Sequence, residues 1–150
     1  MIALLQRVTE ARVVVDGKIV GEIEEGILAL IGVEKGDANT QADRLLERIL
    51  SYRIFPDAED KMNLSLATIK GGLLLVPQFT LAADTQKGTR PSFSSAAHPG
   101  EGERLFDYLL SSAEQVYTNI ASGVFGADMK VSLTNDGPVT FWLQVPPKLA

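Results

Sequence analysis

Few residues of this chain could do chemistry, and most of those are ruled out by what surrounds them. His98 is the only histidine and there is no cysteine, so a Cys/His metal centre, a thiolate nucleophile and a disulfide are excluded. His98 stands in a Ser-, Ala- and Pro-rich stretch, where a solvent-exposed loop residue is expected. No Gly-x-Ser-x-Gly elbow exists to present a serine to it, which removes a Ser-His-Asp triad. Asp57, Glu59 and Asp60 form a turn-like acidic cluster whose ordinary fate is solvation. What remains is Pro77-Gln78-Phe79-Thr80-Leu81 at the end of an apolar run: the Thr80 hydroxyl, the Gln78 carboxamide and the backbone N–H groups around Phe79. Strand-end N–H groups can hold an oxyanion without any titratable residue. Threonine is first of all an ordinary strand former, and by residue type alone that reading takes the larger share.

A second segment carries unusual backbone chemistry. In Asn135-Asp136-Gly137-Pro138-Val139-Thr140 a Gly-Pro step lies between two strand-like runs. Proline locks φ and removes a donor, glycine accepts almost any φ, and the X-Pro bond is where a cis peptide costs only about 0.5–1 kcal/mol. A specified turn is expected there, with Asp136 shaping it.

The elements that must position these segments read as follows. Strands are expected at about 2–8, 11–16 and 18–24, with Asp16-Gly17 a type I′ hairpin signal, and a buried strand at 27–33. Ala42, Leu45, Leu46, Ile49 and Leu50 recur at helical spacing and predict a helix from Asp37 to Tyr52. Thr40 with Asp43 is one capping pair, and Asp37 or Asn39 is an alternative N-cap. A short strand from Leu73 to Val76 delivers the Gln78–Thr80 segment, and residues 84–101 read as a long loop. Phe106, Leu109, Leu110, Ala113 and Val116 predict a second helix from Gly102 to Tyr117. Strands near 126–134 and 139–145 follow. The expected fold is α/β, a mixed, β-rich, layered and barrel-like sheet with two helices on one side.

At 150 residues the chain reads as a single domain, able to bury about 68–70% of its unfolded surface. No apolar run approaches the roughly 18 residues of a membrane span, and Gln6 and Arg7 stand where a signal peptide would be apolar. The expected location is the cytoplasm. A net charge of −5 counts against wrapping a long nucleic acid, yet one terminus can be grasped with few cations. Arg7, Lys87, Arg90 and Lys130 lie in or beside the distinctive segments, and Glu22, Glu24 and Glu25 would keep non-specific RNA binding weak.

Nearly the whole chain resembles the D-aminoacyl-tRNA deacylases. The resemblance rests on Met1 to Val8, on Tyr52-Arg53-Ile54-Phe55 with Lys61-Met62-Asn63-Leu64, and on Pro77 to Leu81. It continues through Ala82-Ala83-Asp84-Thr85 with Arg90-Pro91-Ser92-Phe93, Ala127-Asp128-Met129, and Asn135 to Thr140 followed by Phe141-Trp142-Leu143. One departure is plain: the family's motif usually begins with Ser before Gln-Phe-Thr-Leu, and this chain has Pro77. The resemblance implies hydrolysis of the ester linking a D-amino acid, or glycine, to tRNA; no cofactor is expected and no residue is assigned as a metal ligand. It implies that Gln78, Phe79 and Thr80 wall the site holding the terminal adenosine and ester, with Pro77 beside them and Met129 near the base. Gly137-Pro138 would be cis and reach into the partner's site in a homodimer, excluding L side chains by clash, with Arg7 bracing that loop. Two alternatives stay open: a deacylase of relaxed chirality clearing small L-amino acids, since its relatives begin the motif with Pro-Gln, and a non-catalytic tRNA-end or protein-binding module.

Overall fold

The computed structural model describes residues 1–148. Its organising element is β1 (Ile2–Val15), one continuous strand where two are expected from the sequence. One edge of β1 carries β2 (Lys18–Ile23) against its second half and β3 (Gly26–Gly32) against its first half, both antiparallel. Asp16 and Gly17 make the tight turn between β1 and β2, both with positive φ, as a type I′ turn requires.

Chain order then continues through α1 (Asn39–Ser51), the hairpin strands β4 (Arg53–Pro56) and β5 (Met62–Ser65), a four-residue helix α2 (Leu66–Ile69) and β6 (Gly72–Pro77). β6 lies parallel to β3. After α3 (Pro99–Val116), the short β7 (Ile120–Ser122) pairs in parallel with β6, and β8 (Lys130–Gln144) returns antiparallel along the other edge of β1. The path β2-β1-β3-β6-β7 curls until its ends meet. A Cβ placed on Gly21 of β2 would stand 2.5 Å from the Ser122 carbonyl oxygen of β7, so the seam is narrow enough to require glycine. The sheet is thus a nearly closed barrel.

β3 and β6 are buried on both faces, which explains why their sequences run apolar without alternation. Ile27, Ala29, Ile31, Leu73 and Leu75 pack with Leu45 and Ile49 of α1 and Phe106 and Leu109 of α3. Leu28, Leu74 and Val76 face the other way, against Val8, Val13 and Ile23 inside the barrel. The two long helices therefore cover one face of the sheet, as expected.

Several boundaries differ from the sequence reading. α1 has Ala38 as its N-cap, whose N–H donates to the Gln41 Oε1 at 2.8 Å; neither Thr40, Asn39 nor Asp37 caps. Asp37 is buried instead, accepting from the Met1 amino group at 2.9 Å and the Glu34 N–H at 2.7 Å. α3 starts at Pro99, earlier than Gly102, because a proline at the first helical position loses no hydrogen bond. The two C-terminal strands are one, β8. α2 and the β4–β5 hairpin are additions, too short for a periodic pattern. Asp57 turns that hairpin, accepting from the N–H groups of Glu59 and Lys61; the Lys61 bond is the chief reason its carboxyl lies below the ordinary aspartate range. No helix is long and apolar enough to cross a membrane among the described residues.

Candidate active site

β6 ends because Pro77 cannot donate. The last ladder bond runs from the Gln78 N–H to the Ile31 carbonyl at 2.8 Å, and the chain then winds into a 3₁₀ turn, Phe79–Ala82. Thr80 therefore belongs to a turn rather than to the strand expected from its type. As in any helical start, the first N–H groups are left over: those of Phe79 and Thr80 make no backbone hydrogen bond among the described residues. The Gln78 Nε2 donates to Thr80 Oγ1 at 2.5 Å. With that oxygen already accepting, the threonine proton remains available to a second acceptor.

This turn walls a cleft of about 460 Å³. Val76, Pro77, Gln78, Phe79 and Thr80 form one side, and the connection between β7 and β8 forms the other, through Phe125, Gly126, Ala127, Asp128 and Met129. Met129 is drawn in because Gly123 has no side chain. A Cβ there would meet the Met129 sulfur at 2.7 Å, and the Val124 N–H points at the same sulfur from 3.4 Å. The cleft is mostly apolar. Its one carboxylate, Asp128, faces the Lys130 Nζ at 3.3 Å in an exposed pair.

Of the residues singled out from the sequence, the fold brings Pro77, Gln78, Phe79, Thr80 and Met129 into one cleft. Arg7, Gly137 and Pro138 lie elsewhere, Arg7 on β1 and the Gly-Pro step at the middle of β8. There the β1–β8 register skips: Gln6 faces Thr140 and Val8 faces Asn135, so residues 136–139 arch out opposite Arg7. The Asn135 Nδ2 closes the base of the arch by donating to the Arg7 and Val139 carbonyls at 3.0 and 2.9 Å. The Arg7 Nε donates to the Asp136 carbonyl at 3.1 Å and its Nη1 to the Ile54 carbonyl at 2.8 Å. The Gly137-Pro138 peptide is cis. None of these arch residues lines the cleft of its own chain.

Phe125 and Pro99 also line the cleft and were not singled out. Neither stands in an unusual motif: Phe125 reaches Thr80 because β7 pairs with β6 and carries the β7–β8 connection to the end of that strand, and Pro99 because α3 begins at the cleft. His98 precedes α3 as its N-cap and is exposed, outside the wall. No cluster of acidic, histidine or cysteine side chains that could hold a metal ion occurs among the described residues.

The comparison with known proteins is consistent along the whole length. Residues 4–144 match the family model described as D-Tyr-tRNA(Tyr) deacylase. A D-aminoacyl-tRNA deacylase of Thioalkalivibrio sulfidiphilus is 67% identical over 147 residues, covering 98% of this chain and 99% of the relative. One from Nitrosococcus oceani is 60% identical, covering 98% and 95%. Among solved structures, a c-Myc DNA unwinding element binding protein superposes with a TM-score of 0.93 at 35% identity, covering 97% of this chain and 99% of that one. A probable eukaryotic D-amino acid tRNA deacylase, at 16% identity and a TM-score of 0.80 over 96% of this chain and 98% of its own, shares the fold.

Proposed function

This chain belongs to the D-Tyr-tRNA(Tyr) deacylase family, and from that premise we propose that it hydrolyses the ester bond of D-aminoacyl-tRNA, releasing the D-amino acid and the tRNA. The observation that supports the reading is the turn after β6, which lines the cleft with Gln78, Phe79 and Thr80 and leaves the N–H groups of Phe79 and Thr80 without a backbone hydrogen bond among the described residues. Water adds to the ester carbonyl, the carbonyl oxygen gains negative charge, and the ribose oxygen leaves with a proton. The N–H groups of Phe79 and Thr80 hold the developing oxyanion, an arrangement that needs no titratable residue. Thr80 adds its proton as a further donor, with Gln78 fixing its rotamer. The apolar wall around Phe125 and Met129 takes the terminal adenosine, and Pro77 stiffens the strand end that carries the turn. The vicinal ribose hydroxyl orients the water.

The enzyme works as a homodimer in the cytoplasm, alongside its substrate. The arch at Gly137-Pro138 is built by Arg7, Asn135 and Asp136 yet does not line its own cleft, and β8 pairs only with β1 among the described residues, leaving a long strand edge of the kind proteins normally cover. Entering the partner's cleft, the arch carbonyls receive the substrate ammonium and exclude an L side chain by clash. Glycine, having no side chain, escapes that exclusion, so glycyl-tRNA is also a substrate.

Pro77 favours a second reading, a deacylase of relaxed chirality acting on small L-amino acids, because this position departs from the family's serine. Ester loss from matched D-, L- and glycyl-tRNAs tests both. Hydrolysis of the D and glycyl esters with the L ester intact is expected; hydrolysis of L-alanyl-tRNA supports the second reading, and no hydrolysis of any overturns both.

A further inference from the structure

Next to the cleft, Phe79 and Phe93 stack face to face with ring centroids 4.9 Å apart and planes at 26°. Both remain largely in water, 45% and 41% exposed. Phe93 is held there by its loop rather than by burial. Asp84 and Ser92 exchange both backbone hydrogen bonds, at 2.7 and 2.9 Å, closing off the excursion 85–91. The Ser95 hydroxyl ties the loop back to the Ala82 carbonyl at 2.8 Å. Lys87 and Arg90 ride on that excursion, both exposed, and neither forms an ion pair among the described residues. In a chain of net charge −5, two free cations beside an aromatic pair are a local reversal of sign.

Resting on the deacylase reading, we propose that the Phe79–Phe93 pair stacks the nucleobase that precedes the terminal adenosine of the tRNA, with Lys87 and Arg90 taking the phosphates of the same single strand. Unpaired bases stack on aromatic rings whatever their identity, and cations follow the backbone. The platform is continuous with the adenosine cleft because Phe79 belongs to both.

The test compares full-length D-aminoacyl-tRNA with D-aminoacyl-adenosine, which has the same ester and no preceding nucleotide, and measures binding of uncharged tRNA. Phe93→Ala should raise KM for the tRNA about tenfold, within the range of one lost base stack, with kcat within about twofold of wild type, and should weaken uncharged tRNA equally. Kinetics on the adenosine ester should not change. Phe93→Leu, which keeps bulk against Phe79, should behave alike and guards against a folding defect. Lys87→Ala with Arg90→Ala should flatten the plot of log affinity against log salt by about 1.4 for two phosphates on a single strand. Uncharged tRNA binding unchanged in Phe93→Ala would overturn the proposal. So would equal kinetic losses on both esters, which would make Phe93 a brace for the Thr80 turn, or a shift to monomers in sedimentation, which would assign the patch to a second copy of this chain. Failure of the deacylase reading looks different: neither ester is hydrolysed while tRNA binding still depends on Phe93.

Discussion

At the scale of single residues, Thr80 and Pro77 give opposite expectations. Thr80→Ala removes the donor proposed for the transition-state charge and should lower kcat by up to about 10²–10³-fold, the cost of one oxyanion donor, while single-turnover rates for Thr80→Ser stay close to wild type. Thr80→Val should be the most severe, since a methyl then faces the Gln78 amide where an oxygen accepted its proton. Rates for Thr80→Ala within a few-fold of wild type would remove the hydroxyl from the mechanism. Pro77 is buried at the end of β6 opposite Ile31, and the next N–H, from Gln78, makes the final ladder bond. Its contribution is shape. Pro77→Ser should therefore alter D-aminoacyl-tRNA turnover by less than about tenfold, roughly 1.4 kcal/mol, and leave L-aminoacyl-tRNA untouched; a collapse of L-ester hydrolysis would favour relaxed chirality instead.

At the scale of elements, the β7–β8 connection and the end of α3 each hang on one contact. Gly123→Ala would set a Cβ 2.7 Å from the Met129 sulfur and so push the flexible thioether aside without straining the strands. The expected outcome is a raised KM for D-aminoacyl-adenosine with thermal stability almost unchanged. Tyr117, at the C-cap of α3, donates to the Gly71 carbonyl at 2.5 Å and approaches the Leu66 carbonyl at 3.2 Å. Burial raises its phenol above the ordinary value of 10.0. The folded state thus keeps a proton that the unfolded chain loses first, so this stability is complete below about pH 10 and declines as pH rises through the folded value. Tyr117→Phe should cost about 1 kcal/mol at neutral pH and reduce the alkaline fall in denaturant midpoint. These elements also show what the sequence could carry. The long helices were legible because one-sided burial writes a period into them, and β3 and β6 because burial on both faces leaves short unbroken apolar runs. The site was legible in part, since Gln78 to Thr80 and Gly137-Pro138 are locally unusual. The 3₁₀ setting of Thr80, the role of Gly123 and the approach of Phe125 were not: the turn follows from where the β6 ladder stops, and the other two from β7 pairing with β6, which sets the β7–β8 connection beside that turn and leaves no local pattern. Asp37 misled for a related reason: its position suits a helix cap, and its partner, the Met1 amino group, comes from another part of the fold.

At the scale of the molecule, that buried pair is a test of how the barrel end is held. Both the Met1 amino group and the Asp37 carboxylate are fully covered, with Glu34 3.3 Å away as a second partner. Asp37→Asn leaves a buried ammonium short of its counter-charge and should cost roughly 3 kcal/mol, the low end for breaking a buried pair because Glu34 remains; urea midpoints measure it. Dimer function is tested by mixing. One chain carrying Thr80→Ala and another with Gly137-Pro138 replaced should together restore one working site in two, since an arch and a cleft from different chains then meet. Mixed dimers no better than either parent would mean that each chain uses its own arch. The pairing of β1 with β8, from Ile2 opposite Gln144 to Val14 opposite Lys130, has a further consequence for how this protein is made. On the ribosome, at ~5–20 residues per second, β1 waits on the order of ten seconds for the strand that covers its second edge. The second wall of the cleft is translated in the same late stretch. A nascent chain, or one terminated before the β7–β8 connection, therefore presents an open strand edge to chaperones and proteases and lacks the second wall of the cleft.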